Sequence, residues 1–133
     1  MNFLLDTHTL LWSIANTRAI PESTLEIISN PINNVFVSSV SLWEIAIKQS
    51  IGKLVISNIH SKDLVMAVTS QGFTFITLEP EEALESRSLK RYNNHNDPFD
   101  RMLIFQALKR NYTLISKDSR MIQYEEIGLK LLW

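Results

Sequence analysis

The chain has no cysteine among its 133 residues, which excludes disulfides, thiol nucleophiles and thiolate metal sites. Glycine and proline are scarce, at three and four, while hydrophobic residues make up 45%. That is the composition of a compact globular protein rather than a disordered one. No sign of charge dominates either: the net charge is -1. A polyanionic partner would therefore need local basic groups or a bound cation to attract it. Long apolar runs are also absent. Met1-Asn2-Phe3-Leu4-Leu5-Asp6 has no basic leader, and its apolar run is far too short for a signal peptide or a span. A cytoplasmic protein without a membrane association is expected, with residues 1–133 forming one domain. Neither G-x-x-x-x-G-K-[ST] nor G-x-G-x-x-G occurs, so nucleotide-cradling loops are not expected.

Short, wholly apolar strands alternate with helical segments. Strands are expected at Asn2–Leu5, Val35–Val37, Phe73–Leu78, Tyr112–Ile115 and Leu129–Trp133. Helices are expected around Pro21–Ser29, Val40–Ser50, Asp63–Ser70, from Glu79 onward, over Asp100–Arg110 and over Ser119–Tyr124, with Gly52 at a helix C-terminal cap. The run after Asp6 is helix-like, but its polar start sets no clear boundaries. Apolar strands separated by helices predict an α/β domain whose parallel sheet is covered on both faces. In such sheets ligands bind at the carboxyl ends of the strands.

Acids stand at those ends. Asp6 follows the first strand and Glu44 the second; Asp97 and Asp100 open the helix that feeds the fourth strand, which Asp118 follows. Each has an ordinary structural explanation. Asp6 and Asp118 suit turn or helix caps. Ser41-Leu42-Trp43-Glu44 fits a capping box. Against that, Val40, Glu44, Ile47 and Ile51 form a core-facing stripe, on which a carboxylate needs a partner such as Lys48 or a metal. Asp97 with Pro98 makes a well-formed helix start, whereas Asp100 begins on the side of Leu103 and Ile104; Asp100 is therefore the choice for metal. Oxygen-only ligands select Mg²⁺ or Mn²⁺ over zinc. His8, His60 and His95 lack metal-ligand spacing and are expected at the surface or in turns, His95 nearest to a substrate. Trp12, Trp43 and Trp133 are expected in the core or an interface, and Ser38, Ser39 and Ser116 lack a histidine for nucleophilic catalysis.

Leu4-Leu5-Asp6-Thr7-His8, Ser41–Lys48, Ile51-Gly52-Lys53-Leu54, Asp97–Leu103 (DPFDRML) and Leu114–Asp118 (LISKD) together resemble the PIN-domain family, specifically VapC-type toxins of bacterial toxin–antitoxin pairs. The resemblance implies a three-layer α/β/α sandwich with a central parallel sheet ordered 3-2-1-4-5 and a metal-dependent ribonuclease. Asp6, Glu44, Asp100 and Asp118 match its acidic quartet, and Asp97 the extra acid of the DPFDR subgroup. It further implies a homodimer, an antitoxin whose inhibitory segment blocks the site, and products bearing a 5′-phosphate and a 3′-hydroxyl.

On this reading Asp6 and Asp100 hold Mg²⁺ or Mn²⁺ directly, while Glu44, Asp118 and Asp97 act through water or at a second ion. An activated water attacks the phosphodiester of single-stranded or loop RNA. Arg87, Lys90, Arg91, Arg101 and Ser116 are the candidates for substrate contacts. Two readings compete. An aspartyl-phosphate phosphatase is suggested by Leu5-Asp6-x-His8-Thr9, loosely similar to D-x-D-x-T with His8 in place of the second acid. A non-catalytic module would use the acidic pocket to capture a partner's arginine.

Overall fold

The computed structural model describes residues 1–54 and 60–133. Five strands, β1 (Asn2–Leu5), β2 (Asn34–Ser38), β3 (Thr74–Ile76), β4 (Thr113–Ile115) and β5 (Lys130–Leu132), form one parallel sheet ordered β3-β2-β1-β4-β5. The earliest strand is therefore the central one, with Leu4 in register with Phe36 on one side and Leu114 on the other. Among the described residues the α-helices are α1 (Thr7–Ala15), α2 (Glu22–Ser29), α3 (Ser39–Ser50), α4 (Ser61–Ser70), α5 (Pro80–Glu85) and α6 (Pro98–Arg110). A 3₁₀ helix over Ser119–Ile127 leads into β5.

Strand residues alternate between two apolar layers, which is why the strands lack polar alternation. Phe3, Leu5, Val35, Val37 and Ile115 face one core with Leu10 of α1, Ile28 of α2, and Leu64 and Val68 of α4. Leu4, Ile76 and Leu114 face the other with Leu103, Ile104 and Ala107 of α6 and with Met121 and Tyr124. The result is the α/β/α sandwich that the sequence resemblance implies. Among the described residues no helix is long and apolar enough to cross a membrane.

Local chemistry sets the helix ends. Ser38 caps α3 by accepting a hydrogen bond from Val40 N at 3.1 Å. At its other end Gly52 adopts φ +71°, and Gly52 N and Lys53 N return to Gln49 O and Lys48 O at 3.2 and 2.9 Å, a Schellman motif. The capping box expected at Ser41–Glu44 does not form, because the helix starts earlier and Glu44 lies beyond its first turn. The expected stripe is corrected too. Val40, Ser41, Glu44 and Ile45 are buried, whereas Ile51 is 58% exposed. Burial is confined to the first turns of α3, where Thr7 of α1 meets Ser41 and Glu44.

Candidate active site

Asp6, Asp97 and Asp118 are placed as helix caps, Asp100 in the first turn of α6 and Glu44 in the second turn of α3. Asp6 ends β1 and caps α1, its Oδ1 accepting from Thr9 N at 2.8 Å. Because β4 lies beside β1, Ser116 at the end of β4 reaches Asp6 and donates its hydroxyl proton to Oδ2. Ser116 Oγ in turn accepts from Asp118 N at 3.1 Å. Glu44 comes from α3: its Oε1 accepts from Thr7 Oγ1 at 2.6 Å and its Oε2 pairs with Lys48, the partner anticipated from the i, i+4 spacing. Asp97 caps α6 by accepting from Asp100 N at 2.9 Å, so the acid expected to be a cap is one. Capping and site membership are compatible, since a cap uses one carboxylate oxygen and leaves the other.

His95 closes the turn from Tyr92, its N donating to Tyr92 O at 3.1 Å, as a turn position was expected, but it is fully buried and so not at the surface. The reason is a chain of hydrogen bonds that reaches across the fold. Arg101 Nη1 donates to Tyr124 Oη at 3.1 Å, Tyr124 Oη lies 3.0 Å from His95 Nδ1, and His95 Nε2 lies 3.2 Å from Asp100 Oδ2. Arginine only donates, and a carboxylate only accepts. A neutral His95 closes the chain in one way: the tyrosine proton points at Nδ1, and the Nε2 proton points at Asp100. His95, Asp100 and Asp118 bring ligand atoms within 4.8 Å of one another, the spacing of a metal site. In the tautomer that donates from Nε2, His95 orients the Asp100 carboxylate.

The five acids are thus linked. Asp6 and Asp118 share Ser116 and line one cavity of about 260 Å³ with His8, Trp12 and Lys117. Asp118 meets Asp100 in the 4.8 Å group, and the charges of Asp97 and Glu44 both reach Asp100. Burial pushes the Asp6 carboxyl up from its ordinary value against the pull of Ser116 and Thr9. Burial, then Asp97, pushes Asp100 up to about 6, opposed by the bond from His95. Asp118 is held below the ordinary range by Arg120, which pairs with it. Two carboxylates that resist ionisation, set among others, make a hard oxygen donor set that a divalent cation fits.

Two candidate substrate residues are corrected by burial. Arg101 is 9% exposed and donates to the carbonyls of Leu89 and Lys90, each at 3.0 Å, as well as to Tyr124, so its guanidinium is engaged within the fold and only an edge of the residue lines a cavity. Ser116 is buried on Asp6, which it orients. Arg87 and Arg91 are exposed along a cavity of about 420 Å³, and exposed Lys90 pairs with Glu126 at 2.5 Å. Trp12 and Trp133 pack on one another against the core, while Trp43 is 62% exposed beside Phe99.

The family model for the PIN domain matches residues 3–127. The chain belongs to the PIN-domain family. No curated protein sequence matches it. Among solved structures, this PIN domain is similar in fold to DNA-bound VapBC from Salmonella typhimurium, at TM-score 0.69 and 20% identity over 99% of this chain and 97% of that one. It is similar to VapBC-1 from nontypeable Haemophilus influenzae, at TM-score 0.68 and 19% identity over 99% and 97% of the two chains. VapBC2 from Rickettsia felis bound to a promoter DNA fragment matches at TM-score 0.64 and 19% identity, over 99% and 98%. At these identities the likeness establishes the fold.

The raised Asp100 carboxyl has a thermodynamic consequence for the PIN domain. Folding raises its pKa from 3.8 to about 6, so the folded state binds more protons between those values. Stability therefore falls as pH rises through that window, and the cost stays constant above it. The displacement corresponds to at most about 3 kcal/mol, less after solvent screening. Melting temperatures of wild type and Asp100→Asn without divalent cation should diverge from about pH 4 to 7, the variant being more stable at the upper end. A constant difference would mean that Asp100 is not strained.

Proposed function

We propose that this PIN domain, spanning residues 1–133, is a divalent-cation-dependent endoribonuclease that cuts single-stranded or loop RNA, and that it is the VapC-type toxin of a toxin–antitoxin pair. The observation that carries the reading is the convergence of Asp6, Glu44, Asp100 and Asp118, from four separate chain segments, at the carboxyl edge of the sheet. Asp6 and Asp100 would hold Mg²⁺ or Mn²⁺ directly, with Glu44, Asp118 and Asp97 acting through water or at a second ion. When bound, the cation supplies positive charge to the phosphodiester and lowers the pKa of the attacking water. The protein's own groups prepare that chemistry. Ser116 fixes the Asp6 rotamer, His95 aims Asp100, and Thr7 with Lys48 holds Glu44 inward. Exposed Arg87 and Arg91, with Lys90, would meet the RNA backbone.

An antitoxin segment would use the same edge. Lys48 and Arg120 already occupy Glu44 and Asp118, which supports an inhibitory segment that delivers a basic side chain there. The relatives solved as VapBC complexes support such a partner, and a cytoplasmic homodimer is the expected setting. Membership in the PIN family leaves the aspartyl-phosphate phosphatase reading without support. Purified free of any partner, the protein should cleave single-stranded RNA in Mg²⁺ or Mn²⁺ and lose that activity in EDTA. Cleavage that persists in EDTA overturns the reading. Stable binding of an arginine-containing peptide with no cleavage in either metal would favour the binding-module alternative.

A further inference from the structure

Arg120 is the basic side chain that the acidic centre holds most completely. Its Nε lies 3.0 Å from Asp118 Oδ1 and 3.2 Å from Oδ2, and its Nη2 donates to Oδ2 at 2.7 Å. Its backbone N–H also donates to Oδ1 at 2.9 Å. Four contacts from one residue thus fall on one carboxylate. The charges of Asp100 and Asp97 reach the same guanidinium. It therefore stands among three acids of the centre, yet its side chain remains 50% exposed.

The two kinds of contact are separable. The backbone bond caps the 3₁₀ helix and fixes Asp118, and it does not depend on where the side chain lies. The guanidinium is tethered only by its own flexible stem, and no other partner engages it among the described residues. Lys48 differs: its partner Glu44 is 2% exposed, and losing the ammonium would strand a buried charge. Arg120 can leave without that cost.

We propose that Arg120 is a substrate residue that contacts an RNA phosphate, and that without a divalent cation it folds back as the counter-ion of Asp118. The proposal rests on the nuclease reading above. A cation, reaching Asp118 through its water or as a second ion, and the guanidinium are rivals for that carboxylate: both neutralise it. Once the cation is in place, the guanidinium is displaced from the carboxylate and its planar fork matches a phosphate equally well. The site thereby keeps one positive charge in reserve and transfers it to the polyanion as the substrate arrives.

The variants Arg120→Gln and Arg120→Lys separate this from a purely structural ion pair. Mn²⁺ binding is followed by the loss of the free-ion electron paramagnetic resonance signal. Binding of a fluorescein-labelled single-stranded RNA is followed by anisotropy in Ca²⁺ across a salt series. Removing a unit charge beside the ligands should tighten Mn²⁺ binding in Arg120→Gln by about tenfold. The same variant should bind RNA several-fold more weakly, with one fewer phosphate contact in its salt dependence. Arg120→Lys should retain the salt dependence. Opposite movements of the two affinities support the proposal. Unchanged or weaker Mn²⁺ binding in Arg120→Gln, or an unchanged salt slope, overturns it and leaves the nuclease reading standing if the wild type cleaves in Mn²⁺. A wild type that binds no Mn²⁺ overturns both.

Discussion

Asp100→Asn should reduce RNA cleavage by on the order of a thousandfold and at the same time raise the melting temperature of the cation-free protein. On the proposed mechanism the loss follows from removing a ligand charge, since a positioned cation supplies several kcal/mol to the transition state and each ~1.4 kcal/mol is tenfold in rate. The gain follows from relieving a carboxyl that burial and Asp97 push up to about 6. Asparagine keeps the shape, and its oxygen still accepts from His95 Nε2, so the helix start and the buried relay survive. Single-turnover cleavage and a thermal melt on one preparation give both signs. Cleavage within about tenfold of wild type would remove Asp100 from the centre. A lower melting temperature would show that its charge stabilises the fold.

Arg101→Ala should cost about 3–4 kcal/mol of folding stability, read as a shift in the urea midpoint at constant slope. The guanidinium donates to two backbone carbonyls and to Tyr124, and Arg101 is 9% exposed. Truncation strands those acceptors and empties the space of the stem, while relief of a buried charge offsets part of the cost. A second effect reaches the site: with Arg101 gone, the Tyr124 hydroxyl is free to turn away from His95, and Asp100 loses its fixed donor. Divalent-cation affinity should therefore fall in Arg101→Ala, although Arg101 touches no ligand oxygen but only the relay behind one. Arg101→Lys keeps the charge but cannot span three acceptors, and should recover little. A loss below about 1 kcal/mol would mean that water replaces the guanidinium.

The sheet was legible because parallel strands buried on both faces must be apolar at every position, as Phe3-Leu4-Leu5 and Val35-Phe36-Val37 are. The acids were legible because each follows such a strand or opens a helix. The boundaries of α1 were not: its threonines and His8 carry weak helix preference, and the helix is held by Asp6 and by packing. His95 was misjudged because the Tyr92–Asn96 stretch has the polarity of a solvated loop; its burial depends on Tyr124, 29 residues away. Arg101 was misjudged for the same reason, since a basic residue beside an acid looks solvated until Leu89 and Lys90 fold over it. Contacts between distant segments carry no local signature. Periodicity likewise extended the α3 stripe to Ile51, past the turns that α1 covers.

The central position of the earliest strand bears on when activity first exists in a growing chain. Asp6 is held by Ser116, and Thr9 Oγ1 by the carbonyl of Ile115, across separations of 110 and 106 residues. During synthesis β1 is therefore made first and waits, with its open side unpaired and its acid unoriented, until β4 emerges. Asp118 arrives later still. The acidic centre is therefore unassembled until Ser116 and Asp118 have been made, and chains cut short before Ser116 lack both β5, which completes the sheet, and the hydroxyl that sets Asp6.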